Sequence, residues 1–127
     1  PWSPESPDLY LGRLSLLDGR GEEVDGFDTY AGFRDFRLDG GWYRLNGRPF
    51  HPRGLLNQAI YPDTLYTPTD AHTLTDFGHT LAMGFNGERR HQTTPRHRDL
   101  WLADSMGYWL TVELPSARNL RDGAARA

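Results

Sequence analysis

The spacing of apolar residues changes near residue 40 and divides the chain into two regimes. Trp2-Ser3-Pro4-Glu5-Ser6-Pro7 is punctuated by prolines, which push the residue before each into extended backbone. Leu9, Leu11, Leu14, Leu16 and Leu17 follow with few helix caps and predict a strand over 9–17. Asp18-Gly19-Arg20-Gly21 reads as a turn. Phe27, Tyr30, Phe33 and Phe36 alternate loosely and predict a second strand over 25–38. Trp42 to Leu45 and Arg48 to Phe50 then flank Asn46-Gly47, the pair favoured in type I′ turns, and predict a hairpin. The first third is expected to be all β.

Beyond the hairpin, strand and helix signals alternate. A short strand is expected over 52–56, and a polar, aromatic loop with Tyr61, Pro62, Asp63 and Tyr66 over 57–69. A helix follows over 70–83, with Thr69 or Asp70 as N-cap and Gly84 just past its end. Ala71, Leu74, Phe77 and Leu81 share one face of it, the expected core face. A strand over 85–89, a helix over 98–106 stopped by Gly107, and a strand over 108–112 complete the pattern. Trp101, on the second helix, is expected in the core. Arg118 to Ala127 reads as a helix or a frayed end. Such short units imply parallel strands joined by right-handed crossovers, so the fold class is mixed α and β.

Composition narrows the function classes. A formal charge of −3 gives no long-range pull toward nucleic acid or an anionic membrane, and neither is expected as a partner. All fourteen basic residues are Arg, which fits GC-rich coding and equally fits sites that need a planar charged fork. Zero Cys excludes disulfides, thiolate metal sites and a Cys nucleophile, and leaves the compartment open. No apolar run reaches membrane-spanning length, and no signal peptide opens the chain. The first residue is Pro rather than Met, from which processing or missing upstream sequence is expected. His72 and His79 are i, i+7, and His91 and His97 bracket a loop; neither pair makes a zinc arrangement. No metal or cofactor is expected.

Three stretches together resemble glycoside hydrolase family 2, which contains β-galactosidases, β-glucuronidases and β-mannosidases. They are Trp2-Ser3-Pro4-Glu5-Ser6-Pro7-Asp8-Leu9-Tyr10; Gly32-Phe33-Arg34 with Leu45-Asn46-Gly47-Arg48-Pro49 and Arg53-Gly54; and Met83 to His91 with Ala103 to Gly107 and Glu113. The resemblance implies the end of an immunoglobulin-like β-sandwich over 1–38, a linking hairpin over 39–50, and the first βα units of a partial (β/α)8 barrel over 51–127. It also implies a carbohydrate partner, a β-glycoside. A whole barrel takes roughly 250 residues and a sandwich about 100, so the chain is expected to be a slice across the boundary of two larger domains.

Retaining glycoside hydrolysis uses two carboxyl groups about 5 Å apart. In the family, the acid/base Glu follows an Asn after the fourth barrel strand, and the nucleophile Glu closes the seventh. Asn46, Asn57, Asn86 and Asn119 are each followed by another residue type. No catalytic residue is therefore expected within the chain, which alone is expected to be inactive. The resemblance assigns sugar-site roles to Asn86 and Arg89 (the "N-x-x-R" of the second strand), His91 and Glu113. Here Arg90-His91-Gln92-Thr93 replaces the family's Ser-His-Tyr-Pro. Tyr61, on the loop after the first barrel strand, is a candidate for stacking on sugar or for packing on the scaffold. The alternatives are a small carbohydrate-binding or interaction module, and an unrelated enzyme using Asp63, His91 and Glu113. Unpaired strand edges would favour self-association.

Overall fold

The computed structural model describes residues 1–115, so the alternatives for Arg118 to Ala127 lie outside the described residues. The chain is mixed α and β, with eight strands and two helices among the described residues. It divides into two compact units, Pro1–His51 with Asp104–Gly107, and Pro52–Ala103 with the chain from Tyr108 on.

In the first unit β1 (Tyr10–Leu17) and β2 (Glu23–Ala31) pair antiparallel, with Leu14 opposite Phe27. Asp18 builds their turn, its Oδ1 accepting the N–H groups of Arg20 at 2.7 Å and Glu22 at 3.0 Å. The strand expected over 25–38 is broken: β2 ends at Ala31 and β3 begins at Phe36. The cause is Trp2, 2% exposed, whose N–H donates to the Phe33 carbonyl at 2.8 Å. A Cβ on Gly32 would lie 3.2 Å from Leu9 and 3.6 Å from Trp2, so this stretch packs on the N-terminal segment. The Trp2 indole N–H donates to the Asp104 carbonyl at 2.7 Å, and the Arg34 guanidinium lies 4.6 Å above its ring.

β3 (Phe36–Asp39), β4 (Trp42–Leu45) and β5 (Arg48–Pro49) form an antiparallel sheet in chain order. Asn46 and Gly47 have φ of +51° and +77°, as a type I′ turn requires. Asn46 also accepts the Asp35 N–H at 3.0 Å and donates to the Trp2 carbonyl at 2.9 Å, so one side chain fixes both ends of the unit. Tyr10, Leu14, Leu16 and Phe27 share one face of β1–β2 and are all exposed.

The second unit holds β6 (Gly54–Asn57), β7 (Gly87–Arg90) and β8 (Trp109–Val112), parallel and in that order. Gly54, Gly87 and Trp109 are in register at one end, and Asn57, Arg90 and Val112 at the other. α1 (Asp70–Ala82) separates β6 from β7, and α2 (His97–Met106) precedes β8. Thr69 caps α1: its hydroxyl accepts the His72 N–H at 3.2 Å, and His72 Nδ1 accepts the Thr69 N–H at 3.3 Å. Gly84 at φ +86° ends it.

The buried face of α1 differs from expectation. Thr73, Phe77 and Thr80 point inward, while Ala71 and Leu74 are exposed. Hydroxyls can be buried here because each has a partner: Thr73 donates to Asp99 at 2.8 Å and Thr80 to the Asp76 carbonyl at 2.8 Å. Phe77 stacks on Tyr108 with ring centroids 3.9 Å apart. Trp101 is half-buried beneath the Arg98 guanidinium, 4.2 Å away, and Leu102 and Ala103 take the core positions expected of it.

Gly78, inside α1, has open space where a Cβ would go. Gly78→Ala is therefore expected to raise stability by about 1 kcal/mol through helix propensity alone, read as a higher urea midpoint at unchanged slope.

Candidate functional site

The three parallel strands end side by side at Asn57, Arg90 and Val112, so the residues that follow, Gln58, His91 and Glu113, gather at one edge. Alternation along each strand places Leu56, Arg89 and Thr111 on one face and Asn57, Arg90 and Val112 on the other. The two faces carry different chemistry.

On the first face Arg89 is exposed, and its Nε donates to Glu113 Oε1. Glu113 Oε2 accepts the Gln92 N–H at 3.1 Å. The Arg89 guanidinium, with help from that backbone donor, holds the Glu113 carboxyl below its ordinary range. His91 follows directly: its N–H donates to the Asn57 carbonyl at 2.9 Å, and its Nδ1 lies 3.1 Å from the Gln58 amide nitrogen. Arg89, His91 and Glu113 are thus brought together at the C-terminal strand ends.

The other two candidates lie elsewhere. Asn86 is at the opposite end of β7, where its side chain accepts the Arg53 N–H at 2.7 Å and its carbonyl accepts the Trp109 N–H at 2.8 Å. It ties the beginnings of the strands together. Tyr61 is half-buried against α1; its hydroxyl donates to Asp76 Oδ2 and its ring stacks on His72 at 4.4 Å. Burial and the Asp76 hydrogen bond push its pKa up.

The second face carries a buried polar network that sequence reasoning missed. Glu88 and Arg90 are 1% and 2% exposed, with Arg90 NH2 2.6 Å from Glu88 Oε1. The Asn57 amide donates to Glu88 at 3.0 Å and to Asp76 at 3.3 Å, and the Tyr108 hydroxyl donates to Glu88 at 3.1 Å. Burial pushes the Tyr108 pKa up, and the neighbouring Glu88 adds to it. The available signal was Glu88-x-Arg90: charges two apart on a strand share a face.

Asp99 opens α2 and is 1% exposed. Burial alone would raise its pKa, but the Arg96 guanidinium, the Thr73 hydroxyl and the Arg96 N–H together hold it below 3.8. A carboxyl lowered on folding stabilises the native state above its unfolded pKa, and that contribution is lost as pH falls through the folded pKa. Thermal stability is therefore expected to decline below pH about 4, with a weaker decline in Asp99→Asn, measured as melting temperature against pH.

Chemically, the Arg89–Glu113 pair offers a fixed fork and an ionised carboxylate, suited to polar hydroxylated ligands. It is not an acid/base pair, because Glu88 lies on the other face, buried under α1 residues. Among the described residues no group of three or more His, Asp or Glu is gathered to hold a metal ion.

No family profile matches the chain. A beta-galactosidase of Aeromonas hydrophila subsp. hydrophila is 32% identical over 113 residues, 88% of this chain and 11% of the relative. A beta-galactosidase of Photobacterium profundum is 28% identical over 112 residues, with the same two coverages. A solved glycoside hydrolase family 2 beta-galacturonidase from Eisenbergiella tayi, bound to galacturonate, superposes with a TM-score of 0.84 at 28% identity, over 91% of this chain and 20% of that one. The chain spans 11% of the length of the curated relatives it matches.

Proposed function

As the chain belongs to glycoside hydrolase family 2, we propose that it supplies part of the sugar site of a retaining β-glycosidase while carrying neither catalytic carboxylate. In this reading residues 1–38 are the end of an immunoglobulin-like sandwich, 39–50 a linking hairpin, and 51–127 the opening βα units of a (β/α)8 barrel. The observation that carries it is the exposed Arg89–Glu113 pair at the C-terminal ends of three parallel strands. Barrel enzymes place their chemistry at that edge.

Arg89 holds a neighbouring carboxylate ionised, and Glu113 fixes the Arg89 fork and the Gln92 backbone. His91 contacts sugar hydroxyls beside them. Asn86 acts from the far end by setting the strand register, and Tyr61 by holding the loop after β6 on α1. Hydrolysis needs a facing pair of carboxyls about 5 Å apart. Glu88 and Glu113 project to opposite faces of the sheet and do not make one.

The test is covalent trapping. A 2-deoxy-2-fluoro-β-glycoside with an activated leaving group forms a stable ester with the nucleophile of a retaining enzyme. Intact-mass spectrometry of the chain after prolonged exposure is expected to show no added glycosyl mass. An adduct mapped to Glu88 or Glu113 overturns the reading.

The exposed apolar face of β1–β2 and its free edges also support self-association. Sedimentation coefficients are expected to rise with concentration; a single monomeric species across a hundredfold range contradicts this.

A further inference from the structure

We infer that Asn46 is a self-modification site, held inert by the closed β4–β5 turn and converted to aspartate or isoaspartate only when that turn opens locally. The inference rests on the first unit alone and is independent of the glycosidase reading. Two of the four asparagines, Asn46 and Asn86, precede a glycine, which has no Cβ to shield its backbone nitrogen. Asparagine is among the chemically labile side chains, and this pairing leaves its amide open to attack by the next residue.

The reaction needs only water. The Gly47 nitrogen attacks Asn46 Cγ, the new N–Cγ bond forms and the Cγ–Nδ2 bond breaks. Ammonia leaves with the proton that Gly47 gives up. Water then opens the five-membered imide. Cleavage at Cγ gives aspartate, and cleavage at the former main-chain carbonyl gives isoaspartate, whose backbone runs through the side chain.

The closed turn lacks the geometry for this attack. Ring closure requires the Gly47 nitrogen on the same side as the Asn46 Cβ. A type I′ turn, with φ of +51° at Asn46 and +77° at Gly47, holds it away. The side chain is pinned as well: Oδ1 accepts the Asp35 N–H at 3.0 Å, and Nδ2 donates to the Trp2 carbonyl at 2.9 Å. Because the Asp35 N–H is bound to the reacting amide itself, one opening releases both.

The two Asn-Gly pairs sit in opposite settings. At the first, β5 is two residues long, and Gly47 is exposed with open space where a Cβ would go. Such short exposed elements open at lower free energy than the interior of a sheet. At the second, Gly87 is buried in the middle strand of β6–β7–β8, and a Cβ on it would lie 1.9 Å from the Trp109 carbonyl oxygen. Asn86 is tied to Arg53 at 2.7 Å and to Trp109 at 2.8 Å. Asn86 is thus the internal control, with the same chemistry behind a larger opening.

Reclosing does not undo the change. A carboxylate at position 46 has no donor for the Trp2 carbonyl and sets two acceptors against each other. Isoaspartate adds a backbone atom to a two-residue turn. The site is therefore a one-way latch that leaves the first unit looser.

The test is peptide mapping by mass spectrometry of the chain held in mildly alkaline buffer, with and without urea, beside amide hydrogen exchange in the same buffer. In urea, Asn46 and Asn86 are expected to convert at rates within about threefold of each other. In buffer, Asn46 is expected to slow by the protection factor of the Asp35 amide, within about threefold, and Asn86 to react at least about tenfold more slowly than Asn46. Asn46→Asp is expected to lower Asp35 protection roughly tenfold and leave the β7 amides unchanged. Conversion of Asn46 as fast in buffer as in urea overturns the gating, and none over the time that the protection factor sets overturns the site. Equal conversion at the two sites in buffer assigns the reaction to global unfolding and overturns the local opening. Unchanged Asp35 protection in Asn46→Asp overturns the latch.

Discussion

Glu88→Leu is expected to destabilise the chain by about 3–5 kcal/mol, the cost of leaving a buried charge uncompensated. Glu88 and Arg90 are almost fully buried and lie 2.6 Å apart, and both sit on a strand between two others. Removing Glu88 leaves the Arg90 guanidinium, 2% exposed, without its carboxylate, and deprives Asn57 and Tyr108 of an acceptor. Asn57 keeps a second partner in Asp76, and the Tyr108 hydroxyl keeps its side-chain hydrogen bond with Thr80. The double variant Glu88→Leu/Arg90→Met is expected to recover most of the loss, because replacing both members of a buried pair by apolar groups is often neutral. Urea denaturation of the two variants checks this. A loss below about 1 kcal/mol for the single variant would mean that Arg90 finds solvent or another partner.

Gly87→Ala is expected to cost at least about 3 kcal/mol, at the severe end for an added methyl group, because the obstacle is backbone. An added Cβ would lie 1.9 Å from the Trp109 carbonyl oxygen and 2.5 Å from its Cβ. β7 and β8 cannot then stay in register, and the Trp109 N–H to Asn86 carbonyl bond at 2.8 Å is lost with them. Gly54, on the neighbouring strand, is the internal comparison: a Cβ there meets the Gly87 carbonyl at 3.3 Å, which a small adjustment relieves. Gly54→Ala is expected to cost under about 1.5 kcal/mol. Hydrogen exchange reads the difference, with protection lost along β8 in Gly87→Ala and retained in Gly54→Ala. Full protection of the β8 amides in Gly87→Ala contradicts the packing described.

What could be read from the sequence was what depends on near neighbours. Asn46-Gly47 dictates its turn from two residues, and Thr69 with Gly84 brackets α1 from residues at its ends. The order of strands and helices followed from the same local signals. What failed depended on distant partners. The break between Ala31 and Phe36 is imposed by Trp2, about thirty positions away, so nothing within 25–38 announces it. The inward face of α1 is set by Asp99, which accepts from Thr73 across 26 positions and makes a hydroxyl tolerable where Leu74 was expected to bury. Trp101 looked like core by size, but a flat ring under Arg98 is comfortable at the surface.

The site divides in the same way. Arg89, His91 and Glu113 lie where their strand ends put them, so their proximity follows from the register. The Arg89–Glu113 pairing, across 24 positions, needed the structure. The burial of Glu88 and Arg90 is not legible in the sequence because charged residues are seldom buried, and only their mutual contact and the bonds of Glu88 to Asn57 and Tyr108 make the exception tolerable.

The central claim is that the Arg89–Glu113 edge belongs to a sugar site whose catalytic carboxyls are supplied outside these 127 residues. The most direct measurement is turnover of p-nitrophenyl β-galactoside and β-glucuronide by the purified chain, beside Glu88→Gln and Glu113→Gln. The expected result is release of p-nitrophenol no faster than from buffer in all three samples. Turnover by the chain that either substitution abolishes would contradict it.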